Sequence, residues 1–62
     1  MNAKTYWGIL DRDGRAVGEW LGSSYFVFCY EKYGEAKLSA IALKIPDYKI
    51  CVADEVLRRP PR

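Results

Sequence analysis

Few residues in the chain could carry out chemistry, and their spacing does not favour catalysis. There is no histidine, the commonest general base and the commonest metal ligand. Without histidine, Ser23, Ser24 and Ser39 have no base to activate them as nucleophiles. Cys29 and Cys51 are far apart in the sequence and belong to no CxxC pair, so they cannot form a structural zinc site. We therefore expect a protein that is not an enzyme and that binds no metal or cofactor.

The stretch DRDG, residues 11–14, brings two carboxylates near each other, as in a calcium-binding loop. It lacks the remaining ligands of such a loop, including the glutamate at the twelfth position. Asp11 can instead anchor a turn through its carboxylate, and Gly14 can supply the positive φ angle that closes a hairpin. The sequence therefore predicts a hairpin turn here rather than a calcium site.

The first half of the chain has the pattern of three antiparallel strands. Residues 4–10 (KTYWGIL) and 15–21 (RAVGEWL) flank the predicted turn and favour a pleated surface. After a connector at 22–24, residues 25–30 (YFVFCY) form a third segment that is apolar or aromatic at every position. Side chains of a strand alternate between two faces, so such a run requires cover on both of them. We predict a three-stranded antiparallel meander, whose second face needs a cover that the sequence does not identify.

The second half changes to a helical pattern and then returns to a strand. Residues 35–45 (EAKLSAIALKI) contain mostly good helix formers, and Pro46 would end the helix. A hairpin across Pro46 and Asp47 is the alternative interpretation of this segment. Residues 48–53 (YKICVA) have the β-branched content of a further strand. The predicted fold is α+β in the order β-β-β-α-β, a single domain over 1–62 with a flexible basic tail from about residue 58.

Length, composition and charge describe a small folded binder. Sixty-two residues, half of them hydrophobic and 29% charged, make one domain near the lower size limit for an independent core. The net charge of +2 is well short of the dense positive charge of dedicated nucleic-acid binders. No apolar run is long enough to span a bilayer, and the first residues do not have the pattern of a signal peptide. We expect a cytoplasmic protein with no membrane partner, in which Cys29 and Cys51 are buried reduced thiols. A disulfide between them is the alternative if their strands are neighbours.

The single predicted helix can cover only one face of the predicted meander. We expect the core to form between large side chains of the strands and one side of the helix: Trp7, Ile9, Val17, Phe26 and Phe28 against Leu38, Ile41 and Ile45. The opposite face of the sheet would then carry Tyr6, Leu10, Trp20, Tyr25 and Val27. Tyrosine and tryptophan tolerate solvent and also dominate protein interfaces, so this outer face predicts a partner site.

About a third of the chain resembles a known DNA-binding family. The segment YFVFCYEKYGEAKLSAIALK, residues 25–44, is similar to the strand-to-helix part of AP2-type DNA-binding domains of plant regulators, phage integrases and homing nucleases. The resemblance is carried by an aromatic strand, a Tyr-Gly pair and a helix with alanines and a basic end: Phe26, Phe28, Tyr33, Gly34, Ala36, Ala40 and Lys44. It implies a sheet that reads DNA with arginines and tryptophans, here Arg12, Arg15, Trp7 and Trp20. The acidic residues around the predicted hairpin weaken the attraction to phosphate on which DNA affinity depends.

Protein binding is the favoured prediction. In size, composition and lack of catalytic residues the chain resembles small phage and mobile-element inhibitors of the anti-CRISPR kind. That resemblance implies an inhibitor that docks on a host protein complex, such as one that processes nucleic acid, and blocks it. The predicted partner-binding residues are Tyr6, Trp20, Tyr25, Arg12 and Arg15. An AP2-like DNA-binding module is the alternative function, and a homodimer that stacks its outer faces is the alternative explanation of the apolar surface.

Overall fold

Four short strands and two helices form the fold of the computed structural model, which describes residues 4–62. In chain order they are β1 (Trp7–Leu10), β2 (Gly18–Leu21), β3 (Ser24–Val27), α1 (Tyr33–Ala42), β4 (Lys49–Val52) and α2 (Ala53–Leu57). This mixture confirms the predicted α+β class. The helix before Pro46 is present, so the alternative hairpin at that position is wrong. The short helix α2 is not predicted by the sequence pattern.

The strands form two antiparallel pairs instead of one meander. β1 pairs with β4 along its whole length, with Trp7 opposite Val52. β2 pairs with β3 across a two-residue turn at Gly22 and Ser23. The predicted three-stranded meander is therefore wrong, because β1 takes its main partner from a distant part of the chain.

The second edge of β1 is divided between two segments, and this division prevents the meander. At one end, the backbone of Trp7 exchanges two hydrogen bonds with Tyr30, with N–O distances of 2.7 and 2.8 Å. At the other end, the N–H of Val17 donates to the backbone oxygen of Ile9 at 2.9 Å. The chain between Val17 and Tyr30 leaves β1 and turns back on itself, so β2 and β3 pair with each other.

The predicted turn after β1 is confirmed. Oδ1 of Asp11 accepts hydrogen bonds from the backbone N–H groups of Asp13 and Arg15, both at 2.9 Å. Gly14 has a positive φ angle of 75°. The carboxylate of Asp11 thus holds the turn, and the residue is itself buried.

α1 packs on the strands through its small residues, so the prediction that Leu38 and Ile41 face the strands is wrong, whereas Ile45, which follows the helix, is buried as predicted. Ala36 and Ala40 are fully buried, whereas Leu38 is 69% exposed and Ile41 is 55% exposed. Alanines allow a helix axis to approach a sheet closely, and large side chains at the same positions would hold it away. The apolar residues on the opposite side of α1 consequently face solvent.

One ring–ring contact and one hydrogen bond, each made by a tyrosine, hold α1 in this orientation. The rings of Trp7 and Tyr33 meet edge to face, with centroids 5.2 Å apart. The hydroxyl of Tyr30 lies 2.5 Å from Oγ of Ser39 and shares a hydrogen bond with it. The first contact joins α1 to Trp7 of β1, and the second joins it to Tyr30, which pairs with Trp7. Together they keep the side of the helix that carries the alanines turned towards the strands.

The core has two clusters of buried residues, one on each side of β1. The first contains Ile9, Val17, Ala36, Ala40 and Ile45, and the second contains Leu10, Ala16 and Val56. Adjacent residues of a strand point to opposite faces, so Ile9 packs towards α1 and Leu10 towards α2. Leu10 is only 4% exposed, which corrects its predicted place on the outer face.

Gly8, which has no side chain, lets α2 approach β1 closely. A Cβ atom built at Gly8 would lie 2.9 Å from the side chain of Val56, too close for an ordinary contact. Val56 is fully buried at this point. α2 is therefore the second cover that the strands required.

The apolar run at 25–30 is shared between both clusters. Tyr25 and Val27 pack against the second cluster, and Phe28 and Tyr30 pack against the first. The change occurs between Val27 and Phe28, where β3 ends. Four of the six residues are thus half-buried, in two directions, because the chain bends, and Phe26 and Cys29 remain exposed.

The last residues lie along Ala16, where the sequence predicts a flexible tail. The N–H of Ala16 donates to the backbone oxygen of Pro60 at 2.9 Å, and the N–H of Arg62 donates to the oxygen of Ala16 at 3.0 Å. The segment runs parallel to the chain at Ala16.

The two cysteines are free and differ in exposure. Cys29 is exposed, so the prediction that it is buried is wrong, because it lies on the bend after β3. Cys51 is half-buried against the second cluster. Within residues 4–62 no helix has the length and apolar character needed to cross a membrane.

Candidate protein-binding surface

The β2–β3 hairpin projects from the part of the molecule that holds the core. Its base is closed by the hydrogen bond from the N–H of Phe28 to the backbone oxygen of Val17, at 3.1 Å. Beyond this bond, β2 and β3 pack mainly on each other, whereas α1, α2 and β4 all pack on β1. The molecule is accordingly elongated, with extents of 34 × 25 × 17 Å.

Close approach of the two strands depends on Gly18. A Cβ atom at this position would lie 2.1 Å from the backbone oxygen of Phe26 and 2.9 Å from Cα of Val27. Real Cβ atoms do not come this near to another backbone. Glycine therefore allows the pairing that builds the hairpin.

Three large apolar side chains of the hairpin are more than half exposed: Trp20, Leu21 and Phe26, at 57%, 57% and 52%. We call these three residues the hairpin surface. Leu21 and Phe26 lie on one face of the hairpin together with Glu19, which is directly opposite Phe26. Trp20 lies on the other face, opposite Tyr25. The hairpin thus presents apolar side chains to solvent on both faces, and the prediction that Phe26 belongs to the core is wrong.

Tyr25 supports Trp20 from inside the molecule. Their rings meet edge to face, with centroids 5.1 Å apart and planes at 60°. The hydroxyl of Tyr25 donates to the backbone oxygen of Ala16 at 2.6 Å, and its ring packs on the second cluster. Tyr25 is therefore half-buried and anchored, and it orients the more exposed indole ring.

The structure brings together only part of the predicted partner-binding set. Trp20 and Tyr25 are in contact, but Arg12 and Arg15 lie at the turn after β1. Arg12 forms an exposed ion pair with Asp47 at 3.7 Å. The Nη1 atom of Arg15 donates to the backbone oxygen of Pro61 at 3.2 Å. Both arginines are thus engaged within the chain, away from the two strands of the hairpin.

Tyr6 lies at a third place. It is 43% exposed and precedes β1, where its backbone oxygen accepts a hydrogen bond from Ala53 at 2.8 Å. It lines an open cavity of about 320 Å³ together with Lys4, Val52 and Asp54. This cavity is partly open to solvent and is lined by one acidic and one basic residue, so its chemistry does not point to a particular ligand.

A second open cavity, of about 370 Å³, lies beside the turn after β1. Its charged lining includes Asp11, Asp13, Lys49, Glu55 and Arg59. Glu55 of α2 forms an ion pair at 2.8 Å with Arg59, which lies just after the helix. The charges are of both signs and partly neutralise each other. In the described part of the chain, no group of cysteine and carboxylate side chains is arranged to hold a metal ion.

Leu21 and Phe26 are the residues of the hairpin surface that sequence reasoning missed. The signal that could have found them is the turn at Gly22 and Ser23, because a two-residue turn fixes which residues face each other. That register places Phe26 opposite the charged Glu19 and on the same face as Leu21. A phenylalanine opposite a glutamate on a hairpin is expected to face solvent.

A separate exposed apolar patch lies on α1 and includes Leu38 and Ile41. It is on the side of the helix away from the strands, so it is not continuous with the buried alanines. Lys37 and Glu35 are exposed on the same helix. We call Leu38 and Ile41 the helix patch, and it provides a matched comparison for the hairpin surface.

Comparison with known protein families, with curated proteins and with solved structures finds no match to this chain.

Proposed function

We propose that the chain is a small protein-binding module that docks on its partner through the hairpin surface. The observation that carries the proposal is the exposure of Trp20, Leu21 and Phe26, each more than half accessible on a projecting hairpin. Large aromatic and aliphatic side chains that are exposed together in a small protein mark interaction sites, and tryptophan is enriched among residues that dominate binding energy. Tyr25 contributes by holding the indole ring in place.

The shape of the hairpin supports insertion into a cleft. Its two strands expose apolar side chains on both faces, so a flat partner surface would contact only half of them. A groove that receives the end of the hairpin would bury Leu21 and Phe26 on one side and the exposed part of Trp20 on the other, beside Tyr25, which stays packed on the core. In the form predicted from the sequence, the partner is a host protein complex, and occupation of its groove blocks its activity.

Charge favours a protein partner over DNA for this surface. β2 and β3 contain one charged residue, Glu19, and neither strand contains lysine or arginine. Affinity for DNA rests largely on contacts between basic side chains and phosphates. Arg12 and Arg15, the basic residues of the AP2 resemblance, lie at the turn after β1 and not on the strands of the hairpin. An AP2-like function would therefore use another face of the molecule. The experiment must distinguish DNA binding of that kind from protein binding.

The test compares two double variants by affinity capture from a bacterial lysate, with and without nuclease treatment. The first variant, Trp20→Ala with Phe26→Ala, truncates the hairpin surface, and the second, Leu38→Ala with Ile41→Ala, truncates the equally exposed helix patch. Captured proteins are identified by mass spectrometry and then tested with purified components. We expect the hairpin variant to lose the partner, since removal of each anchor costs about 2 kcal/mol, or roughly thirtyfold in affinity. The helix variant should bind like the wild type.

Three results would contradict the proposal. A partner lost with the helix patch and retained by the hairpin variant would move the site to α1. Capture that disappears after nuclease treatment, together with salt-sensitive DNA binding in a mobility-shift titration, would favour the DNA-binding alternative. A dimer in a sizing measurement that dissociates in the hairpin variant would show that a second copy covers this surface.

A further inference from the structure

The segment Pro60–Arg62 is bound to the rest of the chain as a short parallel strand. Ala16, its neighbour, is fully buried. The N–H of Ala16 donates to the oxygen of Pro60, and the oxygen of Ala16 accepts from the N–H of Arg62, at 2.9 and 3.0 Å. These two bonds bracket Pro61, as expected for parallel pairing.

The pairing explains why two prolines are accepted in a strand. Proline has no N–H to donate, so it weakens a ladder wherever that N–H is required. Here the segment contributes the oxygen of Pro60 and the N–H of Arg62, and neither bond uses a proline nitrogen. The restricted φ of consecutive prolines also favours the extended form before binding, which lowers the entropy lost on docking.

Side chains complete the contact on both sides of the segment. The Nη1 atom of Arg15 donates to the oxygen of Pro61 at 3.2 Å. Tyr25 donates its hydroxyl to the same oxygen of Ala16 that accepts from Arg62, and thereby holds this acceptor in place. We call Asp11, Arg15, Ala16 and Tyr25 the docking groove.

Asp11 makes the contact of the groove with an arginine side chain. Its side chain is 9% exposed, and Oδ1 is used by the turn. The other oxygen, Oδ2, lies 3.4 Å from Nε of Arg62. A carboxylate with one oxygen bound to backbone and the other directed at a guanidinium selects a basic residue at this place.

We propose that the docking groove is a second binding site, which recognises an extended Pro-Pro-Arg segment of a partner protein. In the free chain its own Pro60–Arg62 occupies the groove, and a partner segment binds by displacing it. All the contacts go to backbone atoms and one guanidinium, so an external peptide of the same chemistry can make each of them. Addition of a strand to an accessible edge is a common mode of peptide recognition. The site shares Tyr25 with the support of Trp20, but it includes none of the three residues of the hairpin surface and does not depend on the proposed function.

The test uses the full chain with the three substitutions Pro60→Gly, Pro61→Gly and Arg62→Ser, which release the internal segment. The probe is the peptide Arg-Pro-Pro-Arg with both ends blocked, and Arg-Pro-Pro-Ala is its control. Binding is followed by NMR through the backbone N–H signals of Asp13, Arg15 and Ala16. We expect saturable shifts at millimolar peptide in the triple variant and at least tenfold weaker binding in the wild type, where the internal segment competes.

A further substitution tests the recognition of arginine. Asp11→Asn keeps an Oδ1 acceptor for the turn and removes the negative charge. In the triple variant it should bring the affinity for Arg-Pro-Pro-Arg down to that for Arg-Pro-Pro-Ala. Equal affinity for the two peptides with Asp11 intact would overturn the role of this carboxylate.

Two other results would overturn the site itself. One is a folded triple variant that shows no shifts at about 10 mM peptide. This concentration is well above the dissociation constant expected for a segment displaced from within the chain. The other is equal binding by the wild type, which would place the peptide elsewhere. If the triple variant does not fold, Arg62→Ala is used, and hydrogen exchange at the N–H of Ala16 is measured beside the titration. Loss of protection at that N–H in this variant, without peptide binding, would also contradict the proposal. Wild-type protection would show that Arg62 does not hold the segment in the groove, which would overturn the role given to Asp11.

Discussion

The hydroxyl of Tyr25 donates a hydrogen bond to the backbone oxygen of Ala16, and the two oxygens are 2.6 Å apart. This bond joins the projecting hairpin to the core at the residue that also pairs with the chain's last segment. Tyr25 is therefore part of the framework of the molecule. A substitution there tests stability first and partner binding only as a consequence.

We expect Tyr25→Phe to lower the free energy of unfolding by about 0.5–1.5 kcal/mol, the usual net value of one hydrogen bond. The oxygen of Ala16 keeps the bond from Arg62, so it is not left unpaired. Tyr25→Ala should cost clearly more, because the ring packs on the second cluster. Urea denaturation followed by tryptophan fluorescence gives both values. An unchanged midpoint for Tyr25→Phe would show that the bond does not stabilise the fold.

Two glycines should respond in opposite directions to alanine. Gly18→Ala places a Cβ atom 2.1 Å from the oxygen of Phe26, and the strands must separate to admit it. We expect the free energy of unfolding to fall by about 1–3 kcal/mol. At Gly34, in the first turn of α1, nothing lies within 4 Å of the added atom, so alanine should stabilise by up to about 1 kcal/mol. Thermal melts of the two variants beside the wild type measure both shifts, and a neutral Gly18→Ala would contradict the close strand approach.

The inverted face of α1 makes a further matched pair. Ala40→Leu forces three carbon atoms into a fully buried position and should cost about 1–3 kcal/mol. Ile41→Ala removes three carbon atoms from a side chain that is 55% exposed and should cost less than about 1 kcal/mol. Chemical denaturation distinguishes them. A large cost for Ile41→Ala with a tolerated Ala40→Leu would restore the face that the sequence predicted.

The cysteines should differ in reactivity in the native protein. A thiol reagent is expected to modify Cys29 readily, because it is exposed, and Cys51 more slowly, because it packs on the second cluster. Mass spectrometry after timed labelling follows each site, and Cys29→Ser leaves Cys51 as a single reporter. Fast labelling of that variant under native conditions would place Cys51 at the surface.

Local signals in the sequence predicted the elements well. Asp11 and Gly14 identify the turn because the side-chain hydrogen bond and the positive φ angle that form it lie within four residues. Pro46 excludes a longer helix, and α1 ends before it, at Ala42. β4 follows from its β-branched residues. α2 was missed because it spans only five residues and stands directly before a stretch of arginines and prolines that is typical of irregular chain.

Pairing and orientation could not be obtained in the same way. The partner of β1 is β4, and no local pattern specifies a strand at that distance. α1 carries apolar residues on both sides, so periodicity does not choose between Ala40 and Ile41, and the neighbouring aromatic rings decide. For the candidate site, Trp20 was found because tryptophan is itself a signal of interfaces, whereas Phe26 required the register of the hairpin. That these residues contact a partner stays a prediction.

The pairing of β1 with β4 also has a consequence for the order in which the molecule assembles. These strands are roughly forty residues apart, so their pairing requires closure of a long loop, which is entropically costly and slow. The turn at Asp11 and the β2–β3 hairpin involve near neighbours in the chain and can form within microseconds. Because the first cluster also needs Ala36, Ala40 and Ile45 and the second needs Val56, neither can be completed before these later segments arrive. During synthesis on the ribosome we therefore expect residues 7–30 to form local turns without a core, and the domain to close only when the residues that form α2 and lie along Ala16 have emerged.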